Sequence, residues 1–181
     1  MDFESKITSR EISQLLWERE MTLGTAESCT GGRVAEAIIA VTGASKYFKG
    51  GIVSYADEIQ ERILGVDRQL IEEKTAVCED VAVAMVKGAC KALNTDYAIA
   101  VTGIAGPGGG TAEIPVGTIW LAWGNEDNGA TCQLTEDNGR DKNLSEATHT
   151  ALEMFLEFLK GEEKVSEDNV EPQGEVKWGS N

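Results

Sequence analysis

Apolar residues recur along this chain with two different periods, and each switch of period marks an element. Ser9–Glu20 places Ile12, Leu15 and Leu16 on one face and reads as an amphipathic helix, and Met21–Glu27 reads as a short strand. Val34, Ala37, Ile38 and Val41 fall at spacings of three and four, which predicts a helix over Gly31–Thr42. Gly51–Tyr55 reads as a second strand, Asp57–Leu64 as a helix ending near Gly65, and Asp67–Lys74 as a helical turn. Val81, Met85 and Ala89, with Ala84, Gly88 and Ala92 beside them, predict a helix over Glu79–Leu93. Tyr97–Thr102 is apolar at almost every position, the pattern of a central strand covered on both faces. Gly117–Trp123 and Ala130–Thr135 flank the turn-forming segment Asn125–Gly129 and read as a hairpin. A last helix is expected over Lys142–Lys160, burying Leu144, Ala151, Leu152, Phe155 and Leu159.

Strands alternating with helices, with one hairpin near the end, give an α/β sandwich around a mixed sheet. From Gly161 the apolar periodicity stops. Residues 1–160 are therefore expected to form one domain. Residues 161–181 read as an acidic tail, disordered or loosely docked, with Val176 and Trp178 the residues able to anchor it.

Composition changes this picture in one respect. Among 181 residues, 31 acidic side chains face 16 basic ones, a net charge of −15. So acidic a surface repels phosphate backbones, which argues against a nucleic-acid partner; a small phosphorylated ligand needs only one local cluster of donors. No apolar stretch approaches the ~18–20 residues that cross a bilayer, and Met1-Asp-Phe-Glu-Ser-Lys lacks the pattern of a secretory signal. Neither a membrane partner nor export is expected. Cys29, Cys78, Cys90 and Cys132 show no metal-ligand spacing, so we expect reduced thiols, a cytoplasmic location and no metal.

Two segments could carry chemistry. Glu27-Ser-Cys-Thr-Gly-Gly32 lies where a predicted strand hands over to a helix, the edge at which open α/β sheets place ligands. A hydroxyl there can act as a nucleophile if a base is in reach, and the helix N-terminus favours a phosphate or an oxyanion. The plainer alternative is that Ser28 or Thr30 only caps the helix. Thr102-Gly-Ile-Ala-Gly-Pro-Gly-Gly-Gly-Thr111 leaves the same predicted edge. Lacking a following Gly-Lys-Ser/Thr, it is not a P-loop, and with Pro115 and a strand after it, it is not a dinucleotide fingerprint. Its glycines let a ligand approach the backbone closely, or simply make a flexible connection. His149, the only histidine, lies mid-helix and reads as structural. Cys29 is a second possible nucleophile, although neighbouring side chains diverge and only one of the two should face a ligand. Trp120 and Trp123 read as core.

Taken in order, Thr-Ala-Glu-Ser-Cys-Thr-Gly-Gly, Tyr-Phe-Lys-Gly-Gly-Ile-Val-Ser-Tyr, Thr-Gly-Ile-Ala-Gly-Pro-Gly-Gly-Gly-Thr and Pro-Val-Gly-Thr resemble the CinA C-terminal domain family over roughly residues 8–160. The resemblance implies a three-layer α/β/α sandwich around a mixed, mostly parallel sheet, forming a homodimer or higher homo-oligomer. It implies hydrolysis of the carboxamide of nicotinamide mononucleotide to nicotinate mononucleotide and ammonia, with no metal or other cofactor. The family's serine nucleophile corresponds to Ser28 and an aromatic hydroxyl to Tyr55. A substrate site is implied at Glu27, Thr30, Gly31 and Gly32, at Thr102, Gly103, Ala105 and Gly106 in the glycine loop, and at Arg140. Where the family carries its basic lysine, this chain has Gln60, and an amide cannot take the serine proton. Leu144 and Ile114 stand near two further family cations, and Cys78 replaces a serine helix cap. The resemblance therefore admits two functions, an amidase or a nucleotide-binding member with its hydrolytic step impaired.

Overall fold

The computed structural model describes residues 3–168 of the chain. In order, the elements are α1 (Phe3–Glu18), β1 (Leu23–Glu27), α2 (Arg33–Ile39), β2 (Phe48–Val53), α3 (Asp57–Leu64), α4 (Arg68–Lys74), α5 (Glu79–Leu93), β3 (Tyr97–Gly103), β4 (Ile119–Gly124), β5 (Gly129–Leu134) and α6 (Arg140–Asp168). A 3-10 turn at Ala44–Lys46, which no periodicity announces, precedes β2. The sheet order is β2-β1-β3-β4-β5. β1 pairs parallel with both β2 and β3, and the β3–β4 and β4–β5 pairings are antiparallel. The sheet is mixed as expected, with four of its five strands running the same way.

Side-chain size along β3 decides how the two faces are covered. Ile99 and Val101 point with Leu23, Leu121 and Trp123 into a core shared with α1, α2 and α6. The alternate positions Ala98 and Ala100 join Ala26 and Ala122 on the opposite face, against α5 and the end of α3. Four alanines make that face shallow and bring α5 close to the sheet. Gly88 on α5 is the tightest point: a Cβ there would lie 1.9 Å from the Leu64 carbonyl oxygen. Gly88→Ala raises helix propensity by about 1 kcal/mol, yet it overpacks against backbone that cannot step aside. The clash should win. We expect a net loss of about 1–3 kcal/mol in urea unfolding; a gain in stability would show that α5 is not held against α3.

Most departures from the expected boundaries have local causes. α1 starts at Phe3 rather than Ser9 because its buried face carries Ser5, Thr8 and Ser9, which an apolar pattern cannot reveal. Thr8 donates back to the Glu4 carbonyl, so its hydroxyl is satisfied within the helix. α6 starts at Arg140 and continues through Gly161 to Asp168, where the lost apolar stripe predicted an end. Glu and Lys have high helix propensity of their own. Residues 169–181, including Val176 and Trp178 and most of the expected tail, lie outside the described residues.

The strand directions decide where loops gather. The C-terminal ends of β1, β2, β3 and β5 and the start of β4 share one sheet edge. Residues 28–32, 54–56 and 104–118 leave or enter there, with the start of α6.

Candidate active site

Glu27, the last residue of β1, organises the turn that follows it. Its carboxylate is 1 % exposed and accepts four hydrogen bonds: from the Thr30 hydroxyl (2.7 Å) and from the N–H groups of Gly32 (3.0 Å), Val34 (3.1 Å) and Ala35 (2.9 Å). The first turn of α2 thus has its counter-charge built into the chain. The N–H groups of Gly32, Val34 and Ala35 are taken by the Glu27 carboxylate, and Glu27 and Thr30 are hydrogen-bonded to each other. Neither Ser28 nor Thr30 is the helix cap; Gly32 holds that position with φ 102°, a conformation that favours glycine. Removing the carboxylate in Glu27→Ala would strand buried donors, and we expect a loss of about 3–5 kcal/mol in stability. A loss below about 1 kcal/mol, the size of an exposed ion pair, would contradict this role.

Ser28 is the one residue of Glu27–Thr30 that is not buried. Its N–H donates to the Val101 carbonyl (2.8 Å), which ties the turn to the end of β3. Cys29 turns the other way, into the core, and burial pushes its thiol pKa up to about 12. At neutral pH that thiol stays protonated, so Cys29 is no rival nucleophile. The positive charge of Arg140 acts against this shift without overcoming burial.

The glycine loop reaches the site from β3. Thr102 is buried and its hydroxyl donates to the Ala76 carbonyl (2.7 Å), away from Ser28. Gly103 lies where β3 touches β4, Ala105 and Gly106 are buried, and Gly31 and Gly32 stay at the surface of the turn. Arg140 donates to the Gly106 carbonyl (2.8 Å) and Asn143, one turn further along α6, to the Ala105 carbonyl (3.1 Å). The structure therefore joins Arg140 to the loop at Gly106 and ties the Ser28 turn to the end of the strand from which that loop leaves, while the Glu27, Thr30 and Thr102 side chains are held by hydrogen bonds within the chain. Sequence reasoning missed Asn143. Its spacing of three from Arg140 puts both on one helix face, and that was the available signal.

Two family positions lie across β2. Tyr55 is 65 % exposed just beyond that strand, at the same sheet edge. Gln60, on α3, is 1 % exposed; its amide reaches the Ser54 carbonyl (3.4 Å), while its own Oε1 has no partner. Among the described residues no ammonium or imidazole hydrogen-bonds to the Ser28 hydroxyl. Lys46 lies over the Trp17 ring, Lys74 pairs with Asp80, and Lys160 with Glu11. His149 bridges α1 and α6 through Ser5 and Glu153, as a structural histidine does. Leu144, near the place of a family cation, is core, and Cys78 caps α5 without a side-chain hydrogen bond. Among the described residues no acidic, histidine or cysteine cluster could hold a metal, and no helix is long and apolar enough to cross a membrane.

A hydroxyl at a strand-to-helix turn and a glycine loop braced by the start of a helix stand at one edge of the sheet of this α/β domain. Residues 5–159 match the family model described as the CinA C-terminal domain, and the chain belongs to that family. It is 40 % identical over 160 residues to a nicotinamide-nucleotide amidohydrolase of Escherichia coli (strain K12), covering 87 % of this chain and 97 % of that protein. A CinA-like protein of Leptospira borgpetersenii serovar Hardjo-bovis (strain L550) is 47 % identical over 117 residues. That match covers 65 % of this chain and only 28 % of the much longer Leptospira protein. Among solved structures, the competence/damage inducible protein CihA from Agrobacterium tumefaciens superposes with a TM-score of 0.84 at 34 % identity. The superposition covers 88 % of this chain and 98 % of that one.

Proposed function

We propose that this chain hydrolyses the carboxamide of nicotinamide mononucleotide to nicotinate mononucleotide and ammonia, with Ser28 as nucleophile. The name of the 40 %-identical Escherichia coli relative supports the reaction. The observation that carries the assignment to Ser28 is its accessibility on a turn whose other side chains, Glu27, Cys29 and Thr30, are all buried. The Ser28 oxygen attacks the carboxamide carbon, the C–N bond breaks, and the serine proton leaves with the nitrogen as ammonia. Water then cleaves the ester, releasing the carboxylic acid and restoring the hydroxyl. Arg140, exposed and holding one loop carbonyl, has further N–H groups to offer the nucleotide phosphate. Tyr55 supplies a hydroxyl at the same edge. The reaction runs without the family's lysine and is correspondingly slow.

One observation favours a second reading, nucleotide binding with hydrolysis lost: Gln60 is buried and no cationic base meets Ser28 among the described residues. Purified protein incubated with nicotinamide mononucleotide separates the two. The amidase releases ammonia and nicotinate mononucleotide in equal amounts. Calorimetric binding without either product would establish the second reading instead. The four free cysteines support a reducing compartment, the cytoplasm. Among the described residues the outer edge of β2 pairs with no strand, and Val53 on it is half exposed, which supports self-association.

A further inference from the structure

The first turn of α6 fixes the orientation of two successive carbonyls in the glycine loop. Ala105 O accepts from the Asn143 side-chain amide (3.1 Å) and Gly106 O from Arg140 (2.8 Å). The peptide between Ala105 and Gly106 is trans, so its carbonyl and N–H point in opposite directions. With the Ala105 carbonyl turned toward α6, the Gly106 N–H points away from it. The preceding peptide is set in the same manner, because Ile104 O accepts from the Gly117 N–H (2.8 Å) and so turns the Ala105 N–H away from Gly117. Among the described residues neither N–H has a hydrogen-bond partner, although both residues are buried.

Buried N–H groups without an acceptor are rare, and two in succession are a donor pair aimed at something the chain does not supply. The loop that carries them leaves β3 one residue after Thr102, beside the turn that presents Ser28. Asn143 cannot swivel to release them. It is 2 % exposed, its Oδ1 accepts from the Asn138 N–H (2.8 Å), and its amide donates also to Asp137 (3.0 Å). The Asn143 amide and the Gly139 N–H in turn hold the Asp137 carboxyl below the usual carboxylate range, so it remains an acceptor through the neutral range.

Resting on the amidase reading of Ser28, we propose that the Gly106 N–H, with the Ala105 N–H beside it, donates to the carboxamide oxygen as it becomes an oxyanion. Asn143 is the positioning residue that aims this pair. Loss of one such donor lowers kcat by ~10²–10³. Asn143→Leu should therefore lower kcat by about 10² while KM changes only a few-fold, and unchanged kcat would overturn the assignment to Asn143. The wild-type protein gives the test that does not depend on that variant folding. In amide NMR spectra of ¹⁵N-labelled protein, adding nicotinamide mononucleotide should move the Gly106 amide proton downfield and slow its exchange with water. Shifts at Ser28–Thr30 with Ala105 and Gly106 unmoved would overturn the donor pair and leave the substrate reading standing. No shift anywhere at saturating nucleotide would overturn the substrate reading and the donor pair with it.

Discussion

Ser28→Ala should reduce ammonia release from nicotinamide mononucleotide by about 10²–10⁴ and leave nucleotide affinity within a few-fold. The size follows from what the wild-type site lacks. Removing the nucleophile from a complete serine hydrolase site costs ~10⁶ in kcat, and the loss is no greater when its base is removed as well. A general base accounts for ~10²–10⁴ of rate by itself. Gln60 has already removed the base's share, and because nucleophile and base act as a unit their shares overlap, so the loss expected at Ser28 lies far below ~10⁶, at about 10²–10⁴. Affinity should hold because the contacts left to the nucleotide, Arg140 and the loop amides, do not pass through the hydroxyl. A loss of affinity equal to the loss of rate would mean that Ser28 only binds.

Gln60→Lys should move the rate the other way, raising kcat by ~10²–10⁴, or about 3–5 kcal/mol of barrier. Gln60 occupies a buried site in which its amide reaches the Ser54 carbonyl and its own Oε1 is unpaired. An ammonium placed there loses its hydration, and burial favours the neutral amine that can accept a proton. The longer, more flexible lysine replaces an amide that can neither take the Ser28 proton nor satisfy its own oxygen. Steady-state ammonia release at pH 7–9 reads the gain directly, and the rate should rise with pH as the amine loses its proton. A folded Gln60→Lys protein with no gain in rate would show that the missing lysine is not what limits this chain.

The sequence made the order of elements legible because β3 and α5 carry unbroken patterns, apolar in one and striped in the other. It missed features in which polar residues are buried. The first six residues of α1 were hidden by Ser5, Thr8 and Ser9. At the site, sequence cannot show that four donors of the next turn converge on the Glu27 carboxylate. For Asn143 the spacing of three from Arg140 was the one signal, and its partners, Ala105, Asp137 and Asn138, meet it only in the fold. The place of Ser28 between a strand and a glycine pair marked the turn but left a helix cap and a nucleophile both open, and the family resemblance favoured the nucleophile. Whether its neighbours would compete with it depended on burial, and the packing of Cys29 answered that.

The most direct measurement is peptide mapping by mass spectrometry after acid quench of a reaction with nicotinamide mononucleotide. If Ser28 is the nucleophile, the peptide that contains it carries the nicotinate mononucleotide acyl group as an ester, and the same peptide from Ser28→Ala does not. Turnover with Ser28 unmodified and the acyl group on another residue, Cys29 included, would contradict the account.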